Sequence, residues 1–348
     1  MHKGIFSIPV YDQSTSFEKV LDEVISFAVQ ADKLNFNEAF FGEHIADMHE
    51  KIPSSLMMIS TLSNLTKNIK LGTLTTNLNF YNPSVLASLI SMADNLSKGR
   101  LILGIGSGAN KSDLEALGFL DKKNYEIMLE TYELIKKILN SVDLINFKSE
   151  NFTLSTTKTG NQKLGLGYFN KLYKDRKNLE IIMPALNENS YNVKLCAKNS
   201  WSIAISNFCC EKIVENHIES YIQNSNLNKV DALKKIRLTK LIHVVENESD
   251  VTKYCLNDSS PYIKVIDILF TKLKTFKRHA IFGENVNNLK DAVSNTLLAG
   301  TPDKITNYLN RIKEKYGELG SCIFVTVPKT NLKQYDNSLE LFSKNVEI

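Results

Sequence analysis

Short apolar runs alternate along the whole chain with longer amphipathic stretches. The apolar runs have the length and the β-branched and aromatic content of strands, and the stretches between them can form helices. Eight such runs are present: GIFSIP, EAFFGE, IKLGTLTT, RLILGIGS, LEIIMPA, SIAISN, RLTKLIHVV and SCIFVTV. Strands that alternate with helices pair in parallel, and eight parallel strands favour closure into a barrel. The pattern therefore predicts a (β/α)₈ TIM barrel of the α/β class.

Two of the amphipathic stretches predict particular helices. The segment from Ser16 to Leu34 repeats apolar residues at three- and four-residue steps, as a helix packed against the outside of a barrel does. The segment from Pro83 to Leu96 opens with proline, whose missing N–H costs nothing in a first turn. No internal repeat or low-complexity tract interrupts the alternation. We therefore expect a single barrel domain over residues 1–348.

Two segments exceed the loops of a minimal barrel. One follows the fourth strand, from about Ser141 to Arg176, and the other follows the seventh, from about Asp250 to Gly300. The catalytic face of a barrel is built from the loops that follow its strands. The second segment is therefore a candidate lid, and a surface insertion without a role is the alternative.

Composition and charge narrow the classes of function. The chain is 43% hydrophobic and 23% charged, with a net charge of only +4, and its lysines are scattered rather than gathered into the stripe that nucleic acid requires. No apolar run reaches the roughly 18 residues of a membrane span, and the amino terminus has no secretory pattern. The five cysteines are odd in number and lack C-x-x-C spacing, which predicts reduced thiols and a cytoplasmic protein.

A glycine-rich turn follows the fourth strand. The run from Arg100 to Asn110 delivers Gly104, Gly106 and Gly108 into a loop just before a helix. Glycines there let backbone N–H groups approach an anion closely, so a phosphate-binding turn and simple tight packing are equally good interpretations. The G-x-G-x-G spacing, and the absence of an acidic residue placed for a ribose, exclude a dinucleotide-binding turn.

Ionisable side chains cluster where the second strand ends. The run GEHIADMH holds Glu43, His44, Asp47 and His49. Their spacing does not place ligand pairs on one helix face, so we predict no metal site. His44 is instead expected to project into the barrel mouth as an acid, a base or a hydrogen-bond donor, and a histidine satisfied within the loop is the alternative.

Polar residues also accompany the third and fifth strands. Those of the third strand need partners, either inside the barrel core or along the polar edge of a ligand such as a flavin: Thr73, Thr75, Thr76, Asn77 and Asn79. After the fifth strand, Asn187, Asn189, Ser190 and Asn192 stand at a predicted helix start. Such residues most often cap helices, but Ser190 also suits a phosphate.

In their order along the chain these motifs resemble the bacterial luciferase-like flavin monooxygenases, including the limonene- and alkane-hydroxylating branch. The resemblance covers nearly the whole chain. Its marks are GIFSIP, FFGEH, LGT followed by NP, ADNLSKGRLILGIGSG with DLEALG soon after, AGTPDKI and SLELFSKNV. The middle block is the most specific of them.

The resemblance implies a site for FMN. By position, His44 matches the active-site histidine of the family, expected to stabilise or protonate the oxygenated flavin. The FMN phosphate loop is matched by Gly106, Ser107 and Gly108, and a hydroxyl that reaches the same phosphate is matched approximately by Ser190, with Asn189 or Asn192 as alternatives. The flavin ring is expected near Leu74, Thr75 and Asn77, with a cis peptide between the first two. Ile45 replaces a frequent second histidine, and Ser107 stands where the luciferases have an arginine.

The resemblance also implies an activity and partners. It predicts a two-component monooxygenase that receives reduced FMN from a separate reductase and oxygenates an apolar organic substrate with dioxygen. A deazaflavin-dependent oxidoreductase and a non-catalytic flavin-binding subunit are the alternatives. A homodimer is expected through the helices Ser54–Leu65 and Pro83–Leu96. Candidates for an apolar substrate lining are Phe80, Tyr81, Phe208 and Phe282.

Overall fold

All eight predicted strands are present in the structure, a computed structural model that describes residues 1–7, 10–272, 283, 286–328 and 332–348. In chain order the strands are β1 (His2–Ser7), β2 (Glu38–Phe41), β3 (Lys70–Thr73), β4 (Thr76–Asn77), β5 (Leu101–Gly106), β6 (Asn146–Lys148), β7 (Thr153–Ser155), β8 (Glu180–Ala185), β9 (Ser202–Ile205), β10 (Ile236–Val244), β11 (Leu297–Gly300) and β12 (Ser321–Thr326). The short strands β4, β6, β7 and β11 are additions to the predicted eight.

Helices follow the barrel strands. They are α1 (Phe17–Lys33), α2 (Ser55–Leu65), α3 (Pro83–Leu96), α4 (Lys111–Ala116), α5 (Asn124–Asn140), α6 (Tyr191–Asn199), α7 (Glu211–Asn224), α8 (Lys229–Leu233), α9 (Asp250–Cys255), α10 (Pro261–Lys272), α11 (Leu289–Thr296), α12 (Pro302–Tyr316) and α13 (Leu332–Asn345). Short 3₁₀ turns cover Leu78–Phe80, Gln162–Leu164 and Tyr173–Asp175.

The strands form a parallel sheet in the order β11-β10-β12-β1-β2-β3-β5-β8-β9, and β10 also pairs with β9. In that closing pair Ile236 lies opposite Ile203, and Leu238 lies opposite Ile205. The predicted (β/α)₈ barrel is thereby confirmed. In a barrel the segments that follow the strands lie at one end, so this order carries the loops after β2, β3 and β5 to that end.

Local chemistry fixes the two helices that the periodicity predicted. The Ser16 side chain accepts a hydrogen bond from the Lys19 N–H and caps α1. The Asn82 side chain accepts from the Ser84 N–H at 2.9 Å and caps α3, whose first residue is Pro83. Both helices lie within one residue of their predicted bounds.

The two long segments contain structure of their own. The first carries the antiparallel hairpin of β6 and β7. The second carries α9, α10, α11 and β11, and β11 extends the sheet alongside the last residues of β10. Part of the candidate lid, residues 273–282 and 284–285, lies outside the described residues, as does Phe282. Across the described ranges, no helix combines the length and apolar character needed to cross a bilayer.

The density of contacts divides the chain into two compact units. One comprises residues 41–181, and the other comprises residues 1–40 together with 182–348. The first unit contains the ends of three barrel strands and all but one of the predicted site residues. The second contains Ser190 and the whole of β1, β9, β10, β11 and β12. The expectation of one domain over residues 1–348 stays a prediction.

Candidate active site

A buried carboxylate ties together the loops that follow the second and third strands. Glu43 is 4% exposed, and one of its oxygens accepts hydrogen bonds from the Ser55 N–H at 3.0 Å and from the Ser55 hydroxyl at 2.8 Å. Its other oxygen accepts from the Asn77 N–H at 2.9 Å. Burial raises the pKa of Glu43 against the opposing effect of these hydrogen bonds. Glu43 therefore acts as a brace between α2 and β4.

The neighbouring histidine is paired with an aspartate. The His44 Nδ1 lies 2.7 Å from Oδ2 of Asp113, which is 1% exposed in the first turn of α4. The other carboxylate oxygen of Asp113 accepts from the backbone N–H groups of Ile45 at 3.1 Å and Ala46 at 2.8 Å. A carboxylate can only accept, so with Asp113 ionised the His44 Nδ1 carries the proton of this hydrogen bond.

The second ring nitrogen of His44 faces another acidic group. Its Nε2 lies 3.8 Å from a carboxylate oxygen of Glu50, which is beyond hydrogen-bond distance. The His44 side chain is 21% exposed. Asp113 fixes the orientation of the ring and leaves Nε2 as the nitrogen suited to proton transfer. The acid–base interpretation of His44 stays a prediction at this point.

The loop that carries His44 is clamped at several points. The His44 N–H donates to the Ile52 carbonyl at 2.8 Å, which closes the loop on itself. The Asn110 amide donates to Asp47 at 3.0 Å, and the Ser112 hydroxyl donates to the Ala46 carbonyl at 2.9 Å. These bonds join the second loop to the glycine turn after β5. The position of His44 therefore depends on the same turn that was predicted to hold a phosphate.

The chain turns sharply between β3 and β4, next to β5. The peptide bond between Leu74 and Thr75 is cis, as the family resemblance implies. Asn77 pairs with Gly106 in register, and the Thr75 hydroxyl lies 3.3 Å from the Asn77 side-chain oxygen. A Cβ atom on Gly106 would lie 2.3 Å from the Thr75 hydroxyl oxygen. Only glycine fits at this contact, and the structure brings these four predicted cofactor residues together.

The glycine turn continues over an aromatic ring. Gly108 has a φ of +80°, and a Cβ atom there would lie 2.9 Å from the Phe80 ring. Gly106, Ser107 and Gly108 are all half-buried. Phe80 therefore packs against the glycine turn. From the sequence it was expected only as a candidate substrate-lining residue. Burial next to this region also raises the pKa of Tyr81 to about 12.

The polar run of the third strand serves the protein interior for the most part. The Thr73 hydroxyl donates to the Gly104 carbonyl at 2.9 Å, and the Thr76 hydroxyl lies 3.3 Å from that of Ser55. The Asn79 amide donates to the Asn124 side chain at 3.2 Å. The Asn79 side-chain oxygen is buried, with no hydrogen-bond partner among the described residues. Thr75, half-buried, is the member of this run that the interior does not enclose.

Ser190 lies in the other compact unit, at the start of α6. It occupies the N-cap position, but its side chain makes no capping hydrogen bond within the described helix. The preceding residue, Asn189, has a φ of +58°. Capping, which was the commonest expectation for this hydroxyl, is therefore not what its side chain does.

The residues present suit a flavin phosphate and the edge of its ring. A turn of small half-buried residues, Gly106, Ser107 and Gly108, can offer backbone N–H groups to an anion. Half-buried Thr75 offers a polar group for the edge of a flavin ring, and buried Asn77 holds that hydroxyl through its side-chain oxygen. Within the described part of the chain, no group of three or more His, Cys, Asp or Glu side chains is arranged to hold a metal ion.

Asp113 was not assigned a role from the sequence. Its motif, DLEALG, contributes to the family resemblance, but the pairing with His44 joins residues 69 positions apart. The available signal was an acidic residue in the first turn of the helix that follows the glycine turn. Helix starts favour acidic residues for electrostatic reasons alone, so that signal does not identify a partner.

Comparisons with known proteins bear on the family and on the fold. Residues 1–163 match the family described as luciferase-like monooxygenase. The chain is 24% identical over 353 residues to limonene 1,2-monooxygenase of Rhodococcus erythropolis, covering 99% of this chain and 85% of that protein. The resemblance predicted from the motifs is confirmed, and with it the interpretation of the chain as an enzyme of this kind.

Solved structures show the same fold. The oxygenating constituent of 3,6-diketocamphane monooxygenase from Pseudomonas putida, a type II Baeyer–Villiger monooxygenase in complex with FMN, has a TM-score of 0.86 at 20% identity, covering 99% of this chain and 97% of that chain. An F420-dependent secondary alcohol dehydrogenase has a TM-score of 0.65 at 13% identity, covering 99% of this chain and 98% of that chain. The fold is thus shared by flavin and deazaflavin enzymes.

Proposed function

We propose that this chain, a relative of the luciferase-like monooxygenases, uses reduced FMN and dioxygen to oxygenate an apolar organic substrate. The observation that carries the proposal is the His44–Asp113 pair, which is joined to the glycine turn by Asn110 and Ser112. A proton-handling group and a suitable anion-binding turn therefore belong to one rigid arrangement. Bound reduced FMN would supply the electrons for dioxygen.

The chain's own residues divide the work of binding. Gly106, Ser107 and Gly108 would hold the phosphate through backbone N–H groups, with the Ser190 hydroxyl as a further donor. No arginine stands in the turn, so the affinity for phosphate rests on these neutral donors. Leu74, Thr75 and Asn77 would position the flavin ring. The lack of a Cβ atom on Gly106 leaves room for Thr75 at the end of the strand.

His44 is the proposed catalytic residue, and Asp113 is its positioning residue. Asp113 holds the proton on Nδ1 and directs Nε2 toward the remaining acidic group, Glu50. A carboxylate on each side of the ring stabilises an imidazolium by Coulomb attraction. His44 is thereby equipped to hold a proton on Nε2 and to deliver it to an oxygen atom in the site.

Two rivals differ from this proposal, one in the cofactor that it binds and the other in its lack of catalysis. A deazaflavin-dependent oxidoreductase has the same barrel, and one such structural relative is an alcohol dehydrogenase. The sequence holds no obvious additional basic cluster for the longer tail of that cofactor. A non-catalytic flavin-binding subunit is the other rival, and the buried Asp113 behind His44 argues against it. A subunit without catalysis has no need of an oriented histidine.

The proposal includes two partners. A separate flavin reductase would supply reduced FMN, by analogy with the oxygenating constituent to which the fold is similar. A second copy of the chain is expected at the exposed face of α2 and α3. We infer the reductase from the similarity alone. We infer the second copy of the chain from the exposed apolar side chains of α2 and α3.

Anaerobic titration tests the proposal. The purified chain is titrated separately with reduced FMN and with reduced F420, and binding is followed by flavin fluorescence or absorbance. We expect saturable binding of reduced FMN and at least tenfold weaker binding of F420. Binding of F420 alone would transfer the protein to the deazaflavin branch, and binding of neither would refute the cofactor assignment.

A further inference from the structure

The loop after β8, which is the fifth of the predicted strands, is held by several side chains from outside it. The Asn192 amide donates to the Pro184 carbonyl at 2.8 Å, and the Cys209 thiol lies 3.2 Å from the Leu186 carbonyl oxygen. The carbonyl of Asn187 and the N–H of Asn189 are engaged by two consecutive residues of α7. Backbone groups of four of the six residues 184–189 are therefore held before the chain reaches Ser190: Pro184, Leu186, Asn187 and Asn189.

Asn216 and His217 are those two residues of α7. The Nε2 of His217 lies 2.8 Å from the carbonyl oxygen of Asn187, so Nε2 is the donor. The side-chain oxygen of Asn216 accepts from the Asn189 N–H at 3.0 Å, and its amide donates to the Asn189 side chain at 3.3 Å. Three hydrogen bonds thus anchor a loop whose residues 187–189 are exposed.

Burying the polar imidazole of His217 at this position costs free energy. It is 0% exposed on the face of α7 that otherwise buries apolar side chains such as Ile213, Val214 and Ile218. Its Nδ1 is buried with no hydrogen-bond partner in the described parts of the chain, and burial lowers its pKa. An apolar residue would pack there without a desolvation penalty. The presence of an imidazole at this position is therefore explained by the hydrogen bond from its Nε2 to the Asn187 carbonyl.

Asn189 explains why the loop needs an anchor. Its φ of +58° is a left-handed backbone conformation that is uncommon outside glycine, although asparagine adopts it more readily than most residues. The reciprocal bonds with Asn216 hold this conformation, and it leads directly into Ser190 at the N-cap of α6, a helix of nine residues. With its hydroxyl not used for capping, Ser190 is placed by the loop rather than by its own helix.

We infer that Asn216 and His217 are positioning residues that preform the phosphate-binding end of α6, and that they set the preference for a phosphorylated flavin over an unphosphorylated one. The inference rests on the proposed function, since it assumes that a flavin phosphate meets Ser190. Neither residue touches the cofactor in this account. Preorganisation of the loop raises affinity because the ordering cost is met before binding.

The test compares two flavins that differ in the phosphate. Dissociation constants are measured anaerobically for reduced FMN and reduced riboflavin with the wild-type chain, Asn216→Ala, His217→Ala, His217→Gln and Asn224→Ala. Asn224 lies on the same helix, and its amide bonds only within the helix, to the Ser220 carbonyl. Unfolding temperatures of all five proteins are recorded alongside.

The expected result is a loss that is selective for the phosphate. Asn216→Ala and His217→Ala should bind reduced FMN about tenfold more weakly, which is a loss of about 1.4 kcal/mol. This lies within the range for a lost neutral hydrogen bond, and riboflavin affinity should change less than about twofold. His217→Gln should recover most of the FMN affinity, because its amide nitrogen takes the place of Nε2. Asn224→Ala should match the wild type for both flavins.

Other outcomes overturn the inference. An equal loss for both flavins would mean a purely structural role, and no loss for either would mean that the anchor is dispensable. Asn216 is half-exposed, so its variant tests the idea even where the His217 variants unfold. Wild-type binding that is equal for FMN and riboflavin would refute the inference and leave flavin binding intact. Wild-type binding of neither flavin would refute the proposed function as well.

Discussion

At the scale of single residues, the His44–Asp113 pair has the short contact and the burial of a functional dyad. Asp113 accepts three hydrogen bonds while almost fully buried, and one of them comes from the ring it orients. Glu43, which precedes His44 in sequence, is also buried, but it accepts hydrogen bonds from backbone N–H groups and a hydroxyl of other elements. The two acidic residues therefore differ in role: one braces loops, and the other directs a histidine.

Replacing either member of the pair should remove activity and spare binding. We expect His44→Ala and Asp113→Asn each to lower the oxygenation of cyclic ketone and monoterpene probes about 100-fold or more, since positioned acid–base groups contribute at least that much. Affinity for reduced FMN should change less than about threefold. The double variant should be no slower than His44→Ala, because the two residues act as a unit.

Asp121→Asn is the matched control, since Asp121 is an exposed aspartate that follows the same short helix. It should retain wild-type oxygenation and binding. Full activity of His44→Ala would remove the catalytic assignment. Additive losses in the double variant would instead separate Asp113 from the action of His44.

At the scale of elements, α2 and α3 present apolar side chains to solvent. On α2, Met57 and Leu65 are 72% and 50% exposed, and on α3, Val85 and Met92 are 54% and 60% exposed. Within each helix these positions are separated by seven or eight residues, about two turns, and so share a face. The two helices also pack against each other. A contiguous apolar face of this kind marks an interface.

The chain should therefore form a homodimer through this face. We expect sedimentation velocity at micromolar concentration to show a dimer for the wild type and a monomer for the double variant Met57→Lys, Met92→Lys. Dimerisation of the variant would bury two lysine ammonium groups from each copy, and removing these charges from water costs free energy. Val230→Lys, which replaces a 66% exposed residue of α8, is the control. A wild-type monomer under these conditions would contradict the prediction.

The barrel elements could be predicted from the sequence because their signals are local. The apolar runs for all eight strands, and the first turn of α3 at Pro83, were visible in the pattern of residues. The strand β11 was missed because it is defined by pairing with the last residues of β10, more than fifty positions away. Periodicity within a segment carries no information about such a partner.

The candidate site also combines residues with local sequence signals and residues whose partners are distant in sequence. The glycine turn and His44 stand at strand ends, where sequence position alone suggests a role. Asp113 and the anchor made by Asn216 and His217 required the fold, since their partners come from distant elements. Ser190 was correctly placed at a helix start, but its unused capping capacity was visible only in the structure.

At the scale of the whole molecule, buried histidines make stability depend on pH. His243 is 1% exposed, with Nδ1 at 2.9 Å from the Tyr262 hydroxyl, and burial lowers its pKa to about 4. Between that value and the ordinary one near 6.5, the unfolded chain binds a proton that the folded chain does not. The contribution of a neutral His243 is present above about pH 6.5 and is lost as pH falls toward 4.

We expect the free energy of unfolding to fall by up to about 3 kcal/mol from this residue between those limits. Urea unfolding of the wild type and of His243→Gln across pH 4 to 7 should show a flatter profile for the variant. His2→Gln, at an exposed histidine, should leave the profile unchanged. Parallel profiles for the wild type and His243→Gln would refute the assignment.

The central claim is that this barrel binds reduced FMN and controls its reaction with dioxygen. The most direct measurement mixes the anaerobic complex of the chain and reduced FMN with oxygenated buffer, and follows the return of oxidised flavin absorbance with no substrate present. We expect oxidation at least tenfold slower than for free reduced FMN, and faster oxidation again in His44→Ala. Oxidation of the wild-type complex at the rate of free flavin would contradict it.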